Sequence, residues 1–544
     1  MPDKTRRLQL PAPQGRALLT WEGKRPLRRV SVEPATLIET FQPDGSSRRR
    51  VTDLCADFPC ADASAVLFQG DNKAVLARLL ADGWRGRVKL VYIDPPFDTG
   101  NDFFRRVALR GRHSRRSLNG ADGALGRQVQ YADSWAADSY LQFMYERLIL
   151  LRELLAENGS IWLHCDYRRV HYLRLLLEEV FGAPNYLNTI SWRSQTARGA
   201  KVNAFYFPYS TQYIEIFAHN RAAPTTWNPV RRRITLSESE AAASYMRDAR
   251  GYFRTSDPGA YSFESLCRLH EQGRVYAPYG GEVVVDRTHR RVYASEGGNI
   301  AVKYYLKPLA RGRYAVERAV DNLWDDIPGL GTTPGEDLGY PTQKTEALLR
   351  RIIAVATDPG DVVLDCFSGS GTTAAVAQQM GRRSIACDVN RIAVQTTAMR
   401  LYRAVPKPTV SVYRAGVIDA IRGPDAQADA DVVIERRAGG GQATAHIIVR
   451  DYRSTELNVR LQAARRPPAH SPTGADGWRA AVDSIMIDTD YDGQVLNIAL
   501  SDAPRRRRDL VSGAYELPIS AEAATVAVRI TDILGAETLV TSRI

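Results

Sequence analysis

The sequence VKLVYIDPPF at residues 88–97 contains a mostly apolar run followed by one acidic residue, two prolines and a phenylalanine. Such a run is typical of a buried strand, and Asp94 stands where that strand is expected to end. A second segment, VLDCFSGSGTT at residues 363–373, is typical of a strand that enters a glycine turn and then a helix. Strands and helices alternate around both segments, which predicts an α/β fold with a mainly parallel sheet.

Five regions differ in their patterns along the chain. Residues 61–194 and 326–405 show the alternation of strands and helices, and we predict that together they form one domain. Residues 195–325 break that alternation with clusters of aromatic and basic residues, so we interpret them as an insertion. Residues 1–60 are rich in proline and arginine and are predicted to be an irregular segment. Residues 406–544 are rich in β-type runs and are predicted to form a separate all-β domain.

The composition is that of a globular protein, and the charge indicates a polyanionic partner. The chain has 544 residues, of which 44% are hydrophobic, and this length suits two or three domains rather than one. The net charge is +12, and residues 403–544 contain 18 basic and 18 acidic residues, so the whole excess lies in residues 1–402. A positive excess concentrated in one region favours binding to nucleic acid.

The sequence has no pattern typical of a membrane span, a signal peptide or a metal centre. No run approaches 18 apolar residues, and the N-terminal MPDK lacks an apolar core. The six cysteines form no C-x-x-C pair and no cysteine–histidine cluster with zinc spacing. We therefore expect a cytoplasmic protein with reduced thiols, no membrane association and no bound metal.

The glycine segment is suited to a nucleoside-containing cofactor. Gly369 and Gly371 allow a tight turn and a close approach of the backbone to a ligand. Asp388 follows Gly369 by 19 residues, at the end of the next predicted strand, where its carboxylate can accept hydrogen bonds from ribose hydroxyls. A nicotinamide dehydrogenase is the alternative interpretation. The pattern FSGSGTT differs from G-x-G-x-x-G, however, and Asp365 precedes the turn, where it can face a cationic group.

Several segments together resemble the β class of DNA amino-methyltransferases, which includes the modification (Mod) subunits of type III restriction systems. YIDPPFDTGNDF at residues 92–103 is similar over its whole length to the extended catalytic motif of that family. YPTQK at residues 340–344 resembles the family's segment before the cofactor strand, and residues 363–373 resemble its cofactor loop. The catalytic segment precedes the cofactor loop by about 270 residues, which is the permuted order of the β class. The likeness covers roughly residues 64–403 and implies a Rossmann-like methyltransferase.

In this interpretation the segment DPPF at residues 94–97 activates an amine. Methylation of an exocyclic amine is difficult because the nitrogen lone pair is delocalised into the ring. The Asp94 carboxylate and the Pro95 carbonyl can accept the two amino hydrogens, which favours an sp³ nitrogen. Pro95 and Pro96 make a rigid turn, and Phe97 can stack on the base. An isolated DPPF is also compatible with an ordinary turn at the end of a strand.

The resemblance implies that S-adenosylmethionine is the methyl donor. The residues expected to bind this cofactor are Asp365, Phe367, Gly369, Gly371, Thr372, Asp388, Thr342 and Lys344. The residues expected to carry the catalysis are Asp94, Pro95, Pro96 and Phe97. Members of the family more often have tyrosine at the position of Phe97, and phenylalanine keeps the stacking face of that ring.

The resemblance also implies double-stranded DNA as the substrate, with the target base flipped out of the duplex. An aspartate at position 94 favours adenine N6 as the acceptor, and cytosine N4 stays the close alternative. Residues 195–325 stand at the place of the target-recognition region. Residues 105–130 are predicted to be a long basic loop that binds phosphates. The arginines expected to do so are Arg105, Arg106, Arg115 and Arg116.

The part after residue 406 is expected to bind a protein partner in a restriction-modification or phage-defence system. Its residues 488–493 and 525–534 distantly resemble an immunoglobulin-like sandwich. The partner would be a second copy of the chain or a nuclease or helicase subunit, and a passive stabilising domain is the alternative. Two other functions stay open for the whole chain, namely a catalytically silent DNA-binding subunit and an RNA methyltransferase.

Overall fold

The computed structural model describes most of the chain, in two compact units. One unit comprises Met1–Asn228 with Asn322–Ile544, and the other comprises Pro229–Asp321. The described residues are 7–9, 11, 18–43, 63–111, 124–133, 135, 139–196, 205–223, 225–259, 261–333, 335–416, 428–438, 443–463, 477–506, 508–519 and 524–544. Every catalytic and cofactor-binding residue that the sequence predicts lies in the first unit.

The first unit is built on an eleven-stranded sheet. In chain order its strands are β1 (Ala35–Phe41), β2 (Ala65–Gln69), β3 (Val88–Ile93), β4 (Leu155–Cys165), β5 (Tyr186–Arg193), β6 (Thr211–Ala218), β7 (Leu323–Trp324), β8 (Val362–Asp365), β9 (Arg383–Asp388), β10 (Val410–Ala415) and β11 (Leu496–Ile498). Across the sheet the order is β7-β5-β6-β4-β3-β8-β9-β2-β10-β1-β11. Six strands that are consecutive in this order run parallel to one another, namely β4, β3, β8, β9, β2 and β10. On either side of them, β6 runs antiparallel to β4 and β1 runs antiparallel to β10. The predicted α/β fold with a Rossmann-like, mainly parallel sheet is confirmed.

Helices cover both faces of this sheet. They are α1 (Asn72–Ala81), α2 (Ser139–Leu154), α3 (Val170–Phe181), α4 (Glu346–Ala356), α5 (Thr372–Gln379) and α6 (Arg391–Tyr402). Val66 and Phe68 on β2 belong to the apolar cluster that contains α1, α2 and α3. Ala65 and Leu67 on the same strand belong to the cluster that contains α6. Because successive side chains on a strand point to opposite faces, the two clusters lie on opposite sides of the sheet.

The carboxyl ends of the parallel strands meet along one edge of the sheet, and five of these strands have an acidic residue at or just after that end. These residues are Asp71 after β2, Asp94 after β3, Asp166 after β4, Asp365 at the end of β8 and Asp388 at the end of β9. In open α/β sheets, ligands bind at this edge. The fold therefore brings the two predicted motifs to one place, although they are far apart in the sequence.

The basic region after the catalytic segment forms an antiparallel hairpin, where the sequence predicted a long loop. Its strands are Asn101–Ala108 and Ala124–Asp133. The side-chain amide of Gln128 donates a hydrogen bond to the Leu534 carbonyl at 2.8 Å, so the hairpin is attached to the C-terminal part of the chain. The frequent arginines and glycines of this region favour a loop in a prediction from local sequence. The hairpin forms because its attachment to a distant segment stabilises it.

The strands after residue 406 do not form a body of their own, which corrects the predicted separate domain. β10 lies inside the main sheet between β2 and β1, and β11 pairs with β1. The other strands form two antiparallel sheets over a shared apolar core. One sheet contains Ala428–Ala438, Ala443–Ser454 and Ala514–Pro518. The other contains Val482–Asp488, Leu500–Asp502, Thr525–Asp532 and Glu537–Arg543. The helix Thr455–Ala463 directly follows the strand Ala443–Ser454. Alternating side chains predict that a segment is a strand, but they do not say which sheet it joins.

Part of the N-terminal segment, residues 7–9, 11 and 18–43, also differs from its prediction as irregular, and the other residues before position 61 lie outside the described ones. β1, with the sequence ATLIETF, buries Leu37 and Phe41 and pairs with β10. Arg7–Gln9 pairs with Arg29–Ser31 in a separate two-stranded sheet. The partner of β1 lies more than 350 positions later, and the partner of Arg7–Gln9 is a strand of only three residues. Local sequence patterns do not identify either pairing.

The second unit, Pro229–Asp321, lies inside the predicted insertion 195–325 but is shorter than it. The difference arises because β6 and β7 belong to the main sheet of the first unit. The second unit contains two α-helices and nine short strands among its described residues, with its own apolar clusters. Its helices are Glu238–Ser244 and Phe263–Glu271, and its strands are Arg231–Ser237, Met246–Asp248, Gly251–Ser256, Val275–Tyr276, Val283–Asp286, Arg291–Ala294, Ala301–Tyr305, Lys307–Leu309 and Arg313–Ala319.

Candidate active site

A pocket of about 360 Å³ lies at the edge where β3, β8 and β9 end. The predicted site residues that line it are Asp94, Pro96, Thr342, Lys344, Asp365, Phe367, Gly369, Thr372 and Asp388. Pro95, Phe97 and Gly371 are each adjacent in the chain to one of these residues. The structure therefore brings the predicted catalytic segment and the predicted cofactor turn to a single pocket.

The glycine turn after β8 is held by Asp388 at the end of the neighbouring strand. The Gly369 N–H donates to Oδ2 of Asp388 at 2.9 Å, and the Asn390 N–H donates to Oδ1 at 2.8 Å. Gly369 and Gly371 have φ angles of 49° and 72°, in the left-handed region that favours glycine. A Cβ atom at Gly371 would lie 2.5 Å from the side chain of Thr397 on α6. The turn thus has no room for a side chain at this position and is packed directly against α6.

Two buried carboxylates beside this turn have raised pKa values. Burial raises the pKa of Asp365 to about 7, and repulsion from Asp94 and Asp388 acts in the same direction. Hydrogen bonds from the Thr373 hydroxyl at 2.6 Å and the Phe367 N–H at 3.0 Å oppose that rise. Burial raises the pKa of Asp388 to about 6 against its two backbone hydrogen bonds. Both groups therefore titrate near neutral pH, and a bound cation would favour their ionised forms.

The opposite wall of the pocket is the turn at residues 340–344. Thr342 has a φ of 61°, which is uncommon for a residue other than glycine and occurs often at functional sites. The Gln343 side chain donates to the Glu336 carbonyl at 2.7 Å and accepts from the Leu338 N–H at 3.1 Å. These hydrogen bonds fix the turn that carries Lys344 into the pocket.

Asp94 and Lys344 form an ion pair across the pocket. The Lys344 ammonium donates to Oδ2 of Asp94 and also to the Thr342 carbonyl, the latter at 3.2 Å. Oδ1 of Asp94 is buried and accepts no hydrogen bond from any residue that the structure describes. Burial raises the pKa of Asp94 and the Lys344 charge and hydrogen bond lower it, and the net result is a raised pKa. Lys344, predicted to bind the cofactor, is thus bonded to the predicted catalytic carboxylate.

Phe97 packs beside a buried histidine of β4. The rings of Phe97 and His164 are 6.0 Å apart, and the Lys344 ammonium lies 5.2 Å from the centre of the Phe97 ring. His164 is held by the Tyr92 hydroxyl at 2.9 Å and by the Gln212 side chain at 2.8 Å. Burial lowers the pKa of His164 well below its ordinary value, so the ring is neutral and supports Phe97 by packing.

Some lining residues were not predicted from the sequence. The Asn72 side-chain amide donates to the Cys366 carbonyl at 3.0 Å, which ties the start of α1 to the glycine turn. Phe143 on α2 has its ring 6.0 Å from that of Phe367. The missed lining residues include Asp71, Asn72, Trp135 and Phe143. The first two follow the end of a parallel strand, as Asp94 does, and this shared position is the signal that could have identified them.

Of the four arginines predicted to bind phosphates, two lie in the described part of the chain and two do not. Arg115 and Arg116 lie outside the described residues. Arg105 and Arg106 lie on the first strand of the hairpin. Arg105 lines a small cavity together with Asp483 of the C-terminal part. Arg105 therefore has a carboxylate of its own chain nearby, and a contact between any of these arginines and DNA stays a prediction.

The pocket suits a cationic nucleoside better than a dinucleotide. Four carboxylates line it, from Asp71, Asp94, Asp365 and Asp388. Among the described lining residues the one cationic side chain is that of Lys344, which is already paired. These carboxylates would repel the two phosphates of a nicotinamide dinucleotide and attract the sulfonium and ammonium groups of S-adenosylmethionine. The residues present therefore fit S-adenosylmethionine and disfavour the dehydrogenase interpretation.

Neither a metal-binding cluster nor a membrane-spanning helix is found in the part of the chain that the structure describes. There, no group of three or more histidine, cysteine, aspartate or glutamate residues could hold a metal ion. Within the same ranges, no helix is both long and apolar enough to cross a membrane.

Comparison with known proteins gives a family match and several relatives. The N6/N4 methyltransferase family model, described as DNA methylase, matches residues 88–399. Type II methyltransferase M.EcaI of Enterobacter cloacae is 27% identical over 349 residues, which cover 61% of this chain and 68% of the relative. The probable type III restriction-modification enzyme HindVI Mod subunit of Haemophilus influenzae is 25% identical over 391 residues, covering 59% of this chain and 48% of the relative. DNA adenine methyltransferase YhdJ of Escherichia coli is 22% identical over 347 residues, covering 64% of this chain and 86% of the relative.

The family match covers more than half of the chain and includes both the catalytic segment and the cofactor turn. The chain spans about half the length of the HindVI Mod subunit that it matches. Both the resemblance to Mod subunits and S-adenosylmethionine as the cofactor, as predicted from the sequence, are confirmed by the match. The chain belongs to the N6/N4 DNA methylase family.

Proposed function

We propose that the protein methylates N6 of an adenine that is flipped out of double-stranded DNA. The observation that carries this proposal is the position of Asp94, which lines the same pocket as the glycine turn. Its Oδ1 is buried and, within the described part of the chain, accepts no hydrogen bond. A buried acceptor without a partner is unfavourable, and a donor supplied by a bound substrate would satisfy it. The exocyclic amine of a nucleobase is such a donor.

The groups around Asp94 suit the preparation of an amine for methylation. The chemistry that bound S-adenosylmethionine supplies is an electrophilic methyl group on sulfur. Asp94 accepts one amino hydrogen, and the Pro95 carbonyl is the proposed acceptor of the second. Hydrogen bonds that draw both amino hydrogens out of the plane of the base favour a localised lone pair on nitrogen. Phe97, which packs beside His164, is the proposed stacking partner of the flipped base.

The proposed residues for the cofactor are those of the turn and its surroundings. Gly369 and Gly371 allow the backbone to approach the nucleoside, and Asp388 is the proposed acceptor for the ribose hydroxyls. Asp365, with Asp388, adds negative charge near a sulfonium and an ammonium group. Phe367, Thr342 and Thr372 complete the proposed contacts, because each lines the same pocket.

Adenine N6 is proposed over cytosine N4 for two reasons. Position 94 is an aspartate, which the family uses more often for adenine. The relative YhdJ is named a DNA adenine methyltransferase. The N6/N4 family includes both acceptors by name, so cytosine N4 is the second candidate.

A restriction-modification role is proposed because M.EcaI is a type II methyltransferase and HindVI Mod is a subunit of a type III system. The proposed protein partner is a second copy or a nuclease or helicase subunit. We also propose that residues 195–325, which contain the second compact unit, select the DNA sequence. A catalytically silent DNA-binding subunit is disfavoured because Asp94 and the cofactor pocket are both intact.

The test is nucleoside analysis of duplex DNA after incubation with the protein and S-adenosylmethionine. Asp94→Asn keeps the shape of the side chain and removes its charge, and Asp429→Asn on an exposed strand is the matched control. N6-methyladenine is expected from the wild type and from the control, and at least about 100-fold less from Asp94→Asn. N4-methylcytosine in its place would support the second candidate. Binding of S-adenosylmethionine without any methylation would support the silent subunit.

A further inference from the structure

We infer that Lys344 is a positioning residue for the catalytic carboxylate, which it holds through Oδ2 of Asp94. This role rests on the proposed function and differs from the cofactor contact that the sequence predicted for Lys344. In the proposed arrangement the lysine acts on the target amine only through Asp94. It fixes where the carboxylate lies and keeps it negatively charged.

Three of the four carboxylates that line the pocket, those of Asp94, Asp365 and Asp388, are held in different ways. Asp365 accepts hydrogen bonds from Thr373 and from a backbone N–H, and Asp388 accepts two backbone N–H groups. Asp94 accepts a hydrogen bond from Lys344 and, among the described residues, from no other group. The position of Asp94 therefore depends on one ammonium group, and the carboxylate keeps acceptor capacity that the other two have used.

Lys344 is itself fixed from two sides. Its side chain is 9% exposed, and its ammonium also donates to the Thr342 carbonyl at 3.2 Å. Its backbone carbonyl accepts a hydrogen bond from the Thr372 hydroxyl at 3.3 Å. Thr372 belongs to the cofactor turn, so a short series of contacts leads from that turn through Lys344 to Asp94. Few side chains could replace a lysine that must span this distance and carry a charge.

The charge of Lys344 matters because Asp94 is in a poor environment for an anion. Burial raises the pKa of Asp94 and Lys344 lowers it, so loss of the lysine would raise this pKa further. A protonated Asp94 would lose the negative charge that attracts an amino hydrogen. The titratable groups that face the pair are Asp365, Tyr92, Cys165 and His164. Burial keeps the tyrosine and the cysteine protonated and the histidine neutral, so Asp365 is the neighbour that can titrate near pH 7.

The experiment compares Lys344→Met, which removes the charge, with Lys344→Arg, which keeps it. The single-turnover rate of DNA methylation is measured between about pH 6 and pH 9 with saturating cofactor and DNA, and cofactor affinity is measured by calorimetry. For Lys344→Met we expect a rate at least about 10-fold lower at neutral pH, with the acidic limb of the profile moved up by about one pH unit or more. We expect Lys344→Arg to keep the position of that limb. The affinity for S-adenosylmethionine should change by less than about threefold in both variants.

The direction of the shift identifies the group that titrates. If Asp94 becomes protonated in Lys344→Met, the repulsion that raises the pKa of Asp365 is reduced, so the pKa of Asp365 moves down. An upward shift of the limb that is also seen when Asp365 is replaced by asparagine can therefore be assigned to Asp94. Cofactor affinity reduced about 10-fold or more with an unmoved limb would overturn the positioning role and make Lys344 a cofactor ligand. An unchanged rate and limb in Lys344→Met would also overturn it.

Asp94→Asn, measured in the same assay, separates this inference from the proposed function. If Asp94→Asn methylates DNA at the wild-type rate, the proposed catalytic use of Asp94 fails, and the positioning role fails with it. If Asp94→Asn is inactive while Lys344→Met behaves as the wild type, the positioning role alone is overturned. Loss of activity in Asp94→Asn together with the shifted limb in Lys344→Met supports both.

Discussion

Asp133 binds Thr99 through two hydrogen bonds, because the N–H and the hydroxyl of Thr99 donate to its Oδ2 at 2.9 and 2.8 Å. The N–H of Asp98 donates to the other carboxylate oxygen at 2.8 Å. Asp133 is fully buried at the end of the hairpin that follows the catalytic segment. Asp98 and Thr99 come directly after Phe97, so the hairpin sets the path of the chain next to the catalytic residues.

We expect Asp133→Ala to reduce methyl transfer by about 10- to 100-fold, because three donors beside the catalytic segment would lose their acceptor. The affinity for S-adenosylmethionine should change by less than about threefold, since Asp133 does not line the pocket. Asp102→Ala, at an exposed position of the same hairpin, is the control. Single-turnover rates and calorimetry provide the measurement. A rate equal to that of the control would show that the hairpin does not order the catalytic segment.

A second prediction concerns the packing of the glycine turn. Gly371→Ala forces a residue with a side chain into a left-handed conformation and places its Cβ against Thr397, which together should cost about 2–4 kcal/mol. Gly360→Ala imposes a similar conformation, with a φ of 88°, but its Cβ would meet no atom of the described residues within 4 Å. Gly371→Ala should therefore lower the unfolding temperature more than Gly360→Ala, and it alone should weaken cofactor binding. Equal effects of the two substitutions would contradict the packing described for the turn.

A third prediction concerns the dependence of stability on pH. The pKa of Asp365 is about 7 in the folded protein and its ordinary value is 3.8, so the folded state binds this proton more tightly. The stability that this proton contributes is fully present below the ordinary value and is lost as the pH rises through about 7. Asp365→Asn removes the ionisation and can still accept the hydrogen bond from Phe367.

Ligand-free Asp365→Asn should therefore unfold at least about 2 °C above the wild type near pH 8, and by a clearly smaller margin near pH 5, where only part of the contribution has been lost. In the same variant, the affinity for S-adenosylmethionine near pH 8 should fall, because a cationic ligand loses an ionised partner. Differential scanning calorimetry at the two pH values checks the first effect and titration calorimetry the second. If the variant and the wild type unfold at the same temperature at pH 8 as well as at pH 5, the assignment of a raised pKa to Asp365 is contradicted.

A fourth prediction concerns the part of the chain after residue 406. β10 lies between β2 and β1, so a chain that ends at Pro406 lacks an interior strand of the main sheet. Such a chain should be insoluble or unfolded, and co-expression of residues 407–544 should restore at least part of the soluble protein. Circular dichroism and methylation activity provide the readouts. A truncated chain that folds and methylates DNA would show that β10 is dispensable.

The segments at 88–97 and 363–373 could be predicted from sequence because each combines a local apolar run with a local turn signal. The ion pair between Lys344 and Asp94 could not, since the two residues are 250 positions apart and neither motif specifies its partner. The position of β10 was missed for a related reason. Its alternating pattern indicates a strand, but its pairing with β1 depends on a segment more than 350 positions earlier.

The hairpin shows a different limit of sequence analysis. Its strand Asn101–Ala108 contains arginines, and the region between its strands contains glycines, which favours a loop interpretation. Burial of Asp133 and the contact of Gln128 with Leu534 stabilise the strands through tertiary structure. Tertiary contacts of this kind override local propensity, so they are found only in the folded structure.

The most direct test of the account is to map methylated bases in DNA from cells that express the wild-type chain or Asp94→Asn. We expect N6-methyladenine at one recurring DNA sequence with the wild type and no such mark with Asp94→Asn. Methylated cytosine in place of methylated adenine would contradict the proposed acceptor. An unchanged adenine mark in Asp94→Asn would contradict the assignment of Asp94 as the catalytic carboxylate.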